Sequence, residues 1–373
     1  MQLTSINSLL SWGTVDPELD LYLHANPLPK SNYVNTPIMQ LRAQNQKIET
    51  ATFNALPSDG INETMITIPM SDGTESMIRI CRPIQDADAS ERENASDSDS
   101  NSDPEEPTPL IALFHGGGFV VGSNLQMATF ARAFATLYHV TVASLSYRLA
   151  PEYPFPTAQN DAWDGIRWLS NPSNAAQLNA NLTKGFIVGG VSAGGNLAIS
   201  VTHRSIIEEN LPSPITGLWS AIPITANSNG ETIPEEALNA WISRTQNADA
   251  PCLSYQDLVY LQSLLRVDPT SSVFSPFADL CTFPALPPLY AQVAGMDPLR
   301  DDGLVYEAVA REMGVQTRVD VYGGMPHGFF FYFPGLRQSG RFLGDVVRNM
   351  GWLLGREVDE ERVARVVEKG RSS

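Results

Sequence analysis

The chain is short of cysteine, of histidine and of positive charge, and each shortage removes a class of function. Three cysteines (Cys81, Cys252 and Cys281) in 373 residues are an odd number without metal-ligand spacing, which argues against a disulfide framework or a zinc site and fits reduced thiols. Lys and Arg total 24 against 41 Asp and Glu, a net charge of -17 that a phosphate backbone or an anionic membrane surface would repel. No apolar run is long enough to span a bilayer, and Met1 to Leu23 lacks a basic region followed by an apolar core. A cytoplasmic protein without a membrane span is therefore expected. No internal repeat is visible.

Much of the acidity is local. Residues 85–108 hold nine acids (Asp86, Asp88, Glu91, Glu93, Asp97, Asp99, Asp103, Glu105 and Glu106) against one base, Arg92. Such a composition predicts a solvated, disordered insertion between two strands, whose deletion should leave fold and activity largely intact.

With 43% apolar residues, the rest is long enough for one large α/β domain with an added subdomain. Met65 to Met70 and Ser76 to Arg82 alternate around Ser71-Asp72-Gly73, a hairpin signature. Apolar strands follow at Leu110 to Phe114, Val140 to Ser146, Phe186 to Gly190, Ile215 to Ile224, Leu289 to Ala294 and Arg318 to Tyr322, most of them separated by helical segments. That order predicts a mainly parallel central sheet covered by helices on both faces, with ligands at the carboxyl ends of the strands. Thr225 to Ala285 breaks the rhythm with helix-like pieces (Pro234 to Arg244, Tyr255 to Leu265) and no obvious strand, so it reads as a helical cap. The expected organisation is an N-terminal cap region at 1–55, a first core part at 56–224 carrying the insertion 85–108, the cap insertion at 225–285, and a second core part at 286–373.

The most informative segment is Gly190-Val191-Ser192-Ala193-Gly194, a Gly-x-Ser-x-Gly elbow between a buried strand and a helix running from Ala193 to Glu209. Flanking glycines permit the sharp, strained turn that exposes the serine hydroxyl. Serine is a weak nucleophile until a base takes its proton and a third group orients that base. Five histidines are available. His24 lies in a polar N-terminal stretch, His139 precedes a strand, His203 lies along the elbow helix and His115 belongs to a glycine loop, whereas His327 follows the last strand at the expected catalytic edge. The acid should lie between Ser192 and His327 in the chain. Asp297, just beyond the strand Leu289 to Ala294, is the choice, with Asp301 read as a helix N-cap and Asp302 as a first-turn acid. Attack on an ester carbonyl also needs fixed N–H donors where the oxyanion forms, and Gly116, Gly117 and Gly118 of His115-Gly116-Gly117-Gly118, together with Ala193, are the candidates. A phosphate-binding loop is discounted because no Gly-Lys-Ser/Thr follows. The run Phe329 to Phe333 beside His327 fits either an aromatic pocket or plain core packing, and Arg148 with Glu152 reads as an ion pair that fixes a loop.

These residues together resemble the hormone-sensitive lipase family of α/β-hydrolases. The resemblance covers roughly residues 61–355 and rests on His115-Gly116-Gly117-Gly118, Tyr147-Arg148-Leu149-Ala150-Pro151-Glu152, the Ser192 elbow, Asp297-Pro298-Leu299-Arg300-Asp301 and His327-Gly328-Phe329. It implies carboxylic ester hydrolysis through an acyl-enzyme, with Ser192, Asp297 and His327 as triad, Gly117, Gly118 and Ala193 as oxyanion donors, and no cofactor. The implied partner is a small-molecule ester or lactone, and the oligomeric state, a homodimer included, is left open. Val191 departs from the family, which usually has an acid before the nucleophile, and an apolar branched side chain changes the hydrogen bonding there. Similar substitutions are familiar among fungal members, including esterases of secondary metabolism, which points to a bulky aromatic or polyketide ester. Elimination or cyclisation on the same scaffold stays open. Plant gibberellin receptors resemble the chain too, but they lack the histidine that His327 supplies.

Overall fold

A computed structural model describes residues 4–27, 33–84, 106–208 and 210–371. The acidic segment therefore lies outside the described residues except for its last three. Two of those three are anchored: Glu106 pairs with Lys184, and Thr108 hydrogen-bonds Thr141 Oγ1 at 2.9 Å and takes part in a bridge to Ala180. A deletion that spares the fold should thus stop at Glu105.

Eight strands form one sheet: β1 (Ile61–Pro69), β2 (Glu75–Pro83), β3 (Leu110–Phe114), β4 (Thr141–Leu145), β5 (Phe186–Val191), β6 (Gly217–Ala221), β7 (Leu289–Ala294) and β8 (Thr317–Tyr322). Their spatial order is β1-β2-β4-β3-β5-β6-β7-β8; β2 runs antiparallel to both β1 and β4 and all other pairs are parallel, which gives the mainly parallel sheet that the sequence predicted. Strands β3 to β7 are buried along their whole length, because helices cover both faces and leave no side of the pleat to water. Strand β1 starts four residues earlier than its apolar pattern suggests. Its polar opening is held by tertiary contacts, since Glu63 forms a bidentate pair with the buried Arg132. Strand β6 ends before Ile222, where φ of +42° turns the chain away from the sheet.

Helices α1 (Ile6–Trp12), α2 (Pro17–Ala25) and α3 (Ile38–Ala55) precede the sheet. The α/β part contributes α4 (Ala128–Tyr138), α5 (Thr157–Ser170), α6 (Pro172–Gln177) and α7 (Ala193–Glu208). The segment after β6 has no strand and carries α8 (Ser243–Gln246) and α9 (Tyr255–Leu265), the latter started by a reciprocal capping box between Ser254 and Asp257. After β7 come α10 (Arg300–Glu312), α11 (Phe329–Tyr332), α12 (Arg337–Leu353) and α13 (Glu360–Arg371).

The helix expected over Pro234 to Arg244 is instead a 3-10 turn at Glu235–Ala240 followed by α8. Asp301 explains the break. Its carboxylate accepts from the N–H groups of Ile242 (2.7 Å) and Ser243 (2.6 Å), so it caps α8 across the fold and is not the N-cap of α10, which starts one residue before it. Asp302 is a first-turn acid of α10 as expected, and it also accepts from Thr225 N–H at 2.9 Å and pairs with Arg244. Arg148 and Glu152 do not pair with each other. Arg148 binds Asp161 and Asp72, while Glu152 takes a bidentate bond from Arg42 of α3, so the two ion pairs tie this loop to β2's hairpin and to the N-terminal helices.

Candidate active site

The elbow forms where β5 meets α7. Ser192 has φ +57°, its N–H donates to Ala221 O at 2.8 Å, and its carbonyl accepts from Asn196 N–H at 3.0 Å. A non-glycine residue held in the left-handed region is strained, and here the neighbours enforce it. A Cβ on Gly190 would lie 2.2 Å from Gly194 O, and one on Gly194 would lie 2.1 Å from Phe114 O, so only hydrogen fits at either place. Val191 closes β5 at 2% exposure in an apolar cluster with Trp219 and Ala221.

Three side chains from three separated loops converge on this turn. His327, in the loop after β8, sets Nε2 2.9 Å from Ser192 Oγ and Nδ1 2.7 Å from Asp297 Oδ2. Asp297, just past β7, is fully buried, and its second oxygen accepts from Leu299 N–H at 2.8 Å. The segment after β6 holds the same loop, because Asn247 donates to the carbonyls of Asp297 (2.9 Å) and Gly295 (3.2 Å) and Arg244 donates to that of Pro298 (2.6 Å). With Asp297 accepting from Nδ1–H, Nε2 is left as the acceptor for a serine proton, the tautomer that nucleophile activation requires.

The glycine loop lies beside the elbow. Gly117 has φ +111° and a Cβ there would lie 2.1 Å from Val121 O, so this position excludes every other residue. Among the described residues, the N–H groups of Gly117, Gly118 and Ala193 have no acceptor within the chain. Gly116 differs from the expectation. Its N–H donates to Gln126 Oε1 at 2.6 Å and so cannot serve an oxyanion. Sequence reasoning had no signal for Gln126, whose value comes only from the loop folding back on itself.

The other histidines are structural. His139 is the left-handed C-cap of α4, and His24 is exposed on α2. His115 stacks on Tyr147 with centroids 4.2 Å apart and meets Gly116 O through Nδ1 at 2.8 Å, and burial pushes its pKa down to about 4. His203 contacts Thr282 Oγ1 and Tyr306 OH, and burial lowers its pKa to about 3. Both resist protonation when folded but accept it near 6.5 when unfolded. Between those values the unfolded chain binds more protons, so stability is complete above about pH 6.5 and falls with acidification, by on the order of 3 kcal/mol per histidine. The urea midpoint is expected to drop between pH 7 and pH 4.5, and His203→Gln should flatten that drop. A midpoint equally steep in the variant would assign the acid sensitivity elsewhere.

A cavity of about 240 Å³ opens over Ser192 and His327. Its walls come from α3, α9, the glycine loop and the segment after His327. The run Phe329 to Phe333 divides between two roles: Phe329 and Phe333 are buried in the core, whereas Phe330, Phe331 and Tyr332 line the cavity. Phe330 stacks on Phe342 with centroids 3.7 Å apart. Glu49 of α3 also lines it, and no sequence pattern marked this residue.

No helix among the described residues is long and apolar enough to cross a membrane. A family model described as the alpha/beta hydrolase fold matches residues 111–331. An AB hydrolase superfamily protein of Schizosaccharomyces pombe is 31% identical over 350 residues, 93% of this chain and 96% of its own length. A versiconal hemiacetal acetate esterase of Dothistroma septosporum is 28% identical over 66% of this chain and 74% of its own. Among solved structures, vibralactone cyclase matches with a TM-score of 0.80 at 30% identity, covering 95% of this chain and 99% of that one. An esterase of Pyrobaculum calidifontis matches at 0.70 and 27% identity, over 91% and 98% of the two chains. With the elbow, the sheet order and these likenesses in hand, the chain belongs to the α/β-hydrolase fold family, in its hormone-sensitive-lipase-like branch, as an esterase-type enzyme.

Proposed function

We propose that the protein cleaves carboxylic esters or lactones through an acyl-enzyme, with Ser192 as nucleophile, His327 as its base and Asp297 orienting the imidazole. The carrying observation is the continuous pair of hydrogen bonds, 2.9 Å from Ser192 Oγ to His327 Nε2 and 2.7 Å from His327 Nδ1 to Asp297. In this reading Ser192 Oγ attacks the carbonyl carbon while its proton passes to Nε2, and the oxyanion is met by the N–H groups of Gly117, Gly118 and Ala193. The imidazolium then protonates the leaving alcohol, and water repeats the sequence to release the acid. The aromatic wall of Phe330, Phe331 and Tyr332, together with the likeness to an esterase named for versiconal hemiacetal acetate, favours a bulky aromatic or polyketide ester. The test is covalent labelling by an organophosphonate, read by peptide mass spectrometry. A single adduct on Ser192, lost in His327→Ala, is expected, and labelling elsewhere overturns the assignment.

A second reading is favoured by the likeness to vibralactone cyclase. If an internal hydroxyl of the acyl group replaces water, the acyl-enzyme is released as a lactone, with the ester C–O bond broken and a new one formed in the same chain. Product mass from a hydroxy-ester distinguishes the two, because a lactone is lighter than the free acid by one water.

A further inference from the structure

One helix face gives the cavity a second character. Asn45, Glu49 and Thr52 of α3 follow the i, i+4, i+7 spacing of a single face, and all three line the cavity, whose other walls are mostly apolar. Gln126 and Thr129 line it as well. Glu49 is only 8% exposed, a rare burial for an acid. Its Oε2 accepts from Ser123 Oγ at 2.6 Å, while its Oε1 has no partner. Gln126 uses Oε1 on Gly116 N–H, and among the described residues its amide nitrogen has no partner within the chain. A buried polar atom left unmatched costs free energy, so its retention in a binding cavity is a reason to look for a ligand group that matches it.

No cation lies against Glu49: its partners are the Ser123 hydroxyl and backbone, and burial raises its pKa. The unpaired Oε1 is an acceptor with no ion-pair partner, which suits the O–H of a hydroxyl or a phenol, and burial disfavours the charged form that an ammonium group would need. The cavity then has an apolar, aromatic side for a ring system and a polar stripe for its oxygens.

We propose that the Asn45–Glu49–Thr52 face, with Gln126, is an oxygen-recognition subsite that selects ring-bearing ligands carrying hydroxyl groups remote from the ester, and that Glu49 is its specificity-determining residue. The inference deepens the esterase reading and rests on it for the word substrate, yet the subsite is tested by binding alone. The probes are 1,5-dihydroxynaphthalene and naphthalene, titrated into the full-length Ser192→Ala protein and followed by quenching of intrinsic fluorescence. Tighter binding of the dihydroxy compound by about tenfold is expected, the worth of one well-placed buried hydrogen bond. Adding Glu49→Leu should remove that preference, and adding Glu49→Gln, which keeps a donor and an acceptor, should restore most of it. The thermal midpoint of each variant guards against unfolding. Equal binding of the two probes to the Ser192→Ala protein, or a preference unchanged by Glu49→Leu, overturns the subsite. A dansylated cationic amine binding better than either probe overturns the hydroxyl class. Failure of Ser192-dependent ester turnover overturns the esterase reading and leaves these binding ratios as they are.

Discussion

Ser192→Ala is expected to lower kcat for a p-nitrophenyl ester by about a million-fold, because removal of the nucleophile leaves only binding and oxyanion stabilisation. His327→Ala should cost about as much, and the double variant little more, since the two act as one unit. Asp297→Asn is the more discriminating change, expected to cost about 10,000-fold. The reason lies in the two bonds that Asp297 accepts, from His327 Nδ1 at 2.7 Å and from Leu299 N–H at 2.8 Å. An asparagine keeps its carbonyl oxygen on the Leu299 N–H and turns its NH2 group to the imidazole. Nδ1 must then accept, Nε2 carries the proton, and no lone pair faces Ser192 Oγ. Steady-state kinetics of the three variants check this, and an Asp297→Asn enzyme within tenfold of the parent would falsify the role given to Asp297.

The largest effect on stability is expected from Gly194→Ala. The added Cβ would lie 2.1 Å from Phe114 O and 2.5 Å from His115 O, both backbone atoms at the end of β3 that no rotamer change can move. Either the first turn of α7 or the end of β3 must shift, at a cost of more than about 3 kcal/mol. The same change at Gly335, where nothing lies within 4 Å of the new Cβ, should stay within about 0.5 kcal/mol. Thermal midpoints of the two variants decide the matter. Equal midpoints would mean that the elbow is looser than its contacts imply.

The α3 face and the acid-sensitive histidines share a lesson about burial. Glu49, His115 and His203 are all polar groups withdrawn from water, yet they serve differently. Burial holds His115 and His203 neutral, and each ring has hydrogen-bond partners, whereas Glu49 retains an oxygen without one beside a cavity. The difference is visible only once the neighbours are known.

Much of the fold and of the candidate site was nevertheless legible in the chain. The buried strands announced themselves as apolar runs because a covered parallel sheet leaves no polar face, and Ser192, Asp297 and His327 stood out because elbow glycines, strand ends and chain order are local or one-dimensional properties. What depended on contacts between distant segments was not legible. Gly116 looked equivalent to its neighbours until Gln126 folded back to take its N–H, Asp301 looked like a cap for its own helix until α8 arrived at its oxygens, and Arg148 and Glu152 looked like partners until Asp161 and Arg42 claimed them. Glu49 lies 143 positions before Ser192, and no periodicity in α3 says which wall it will face. Sequence alone determined the scaffold and the candidate triad, since backbone geometry and nucleophile chemistry demand particular residue types at fixed spacings. Tertiary structure decided which N–H groups stay unpaired and which polar side chains line the cavity, because both are settled by whatever else folds within about 3 Å of them.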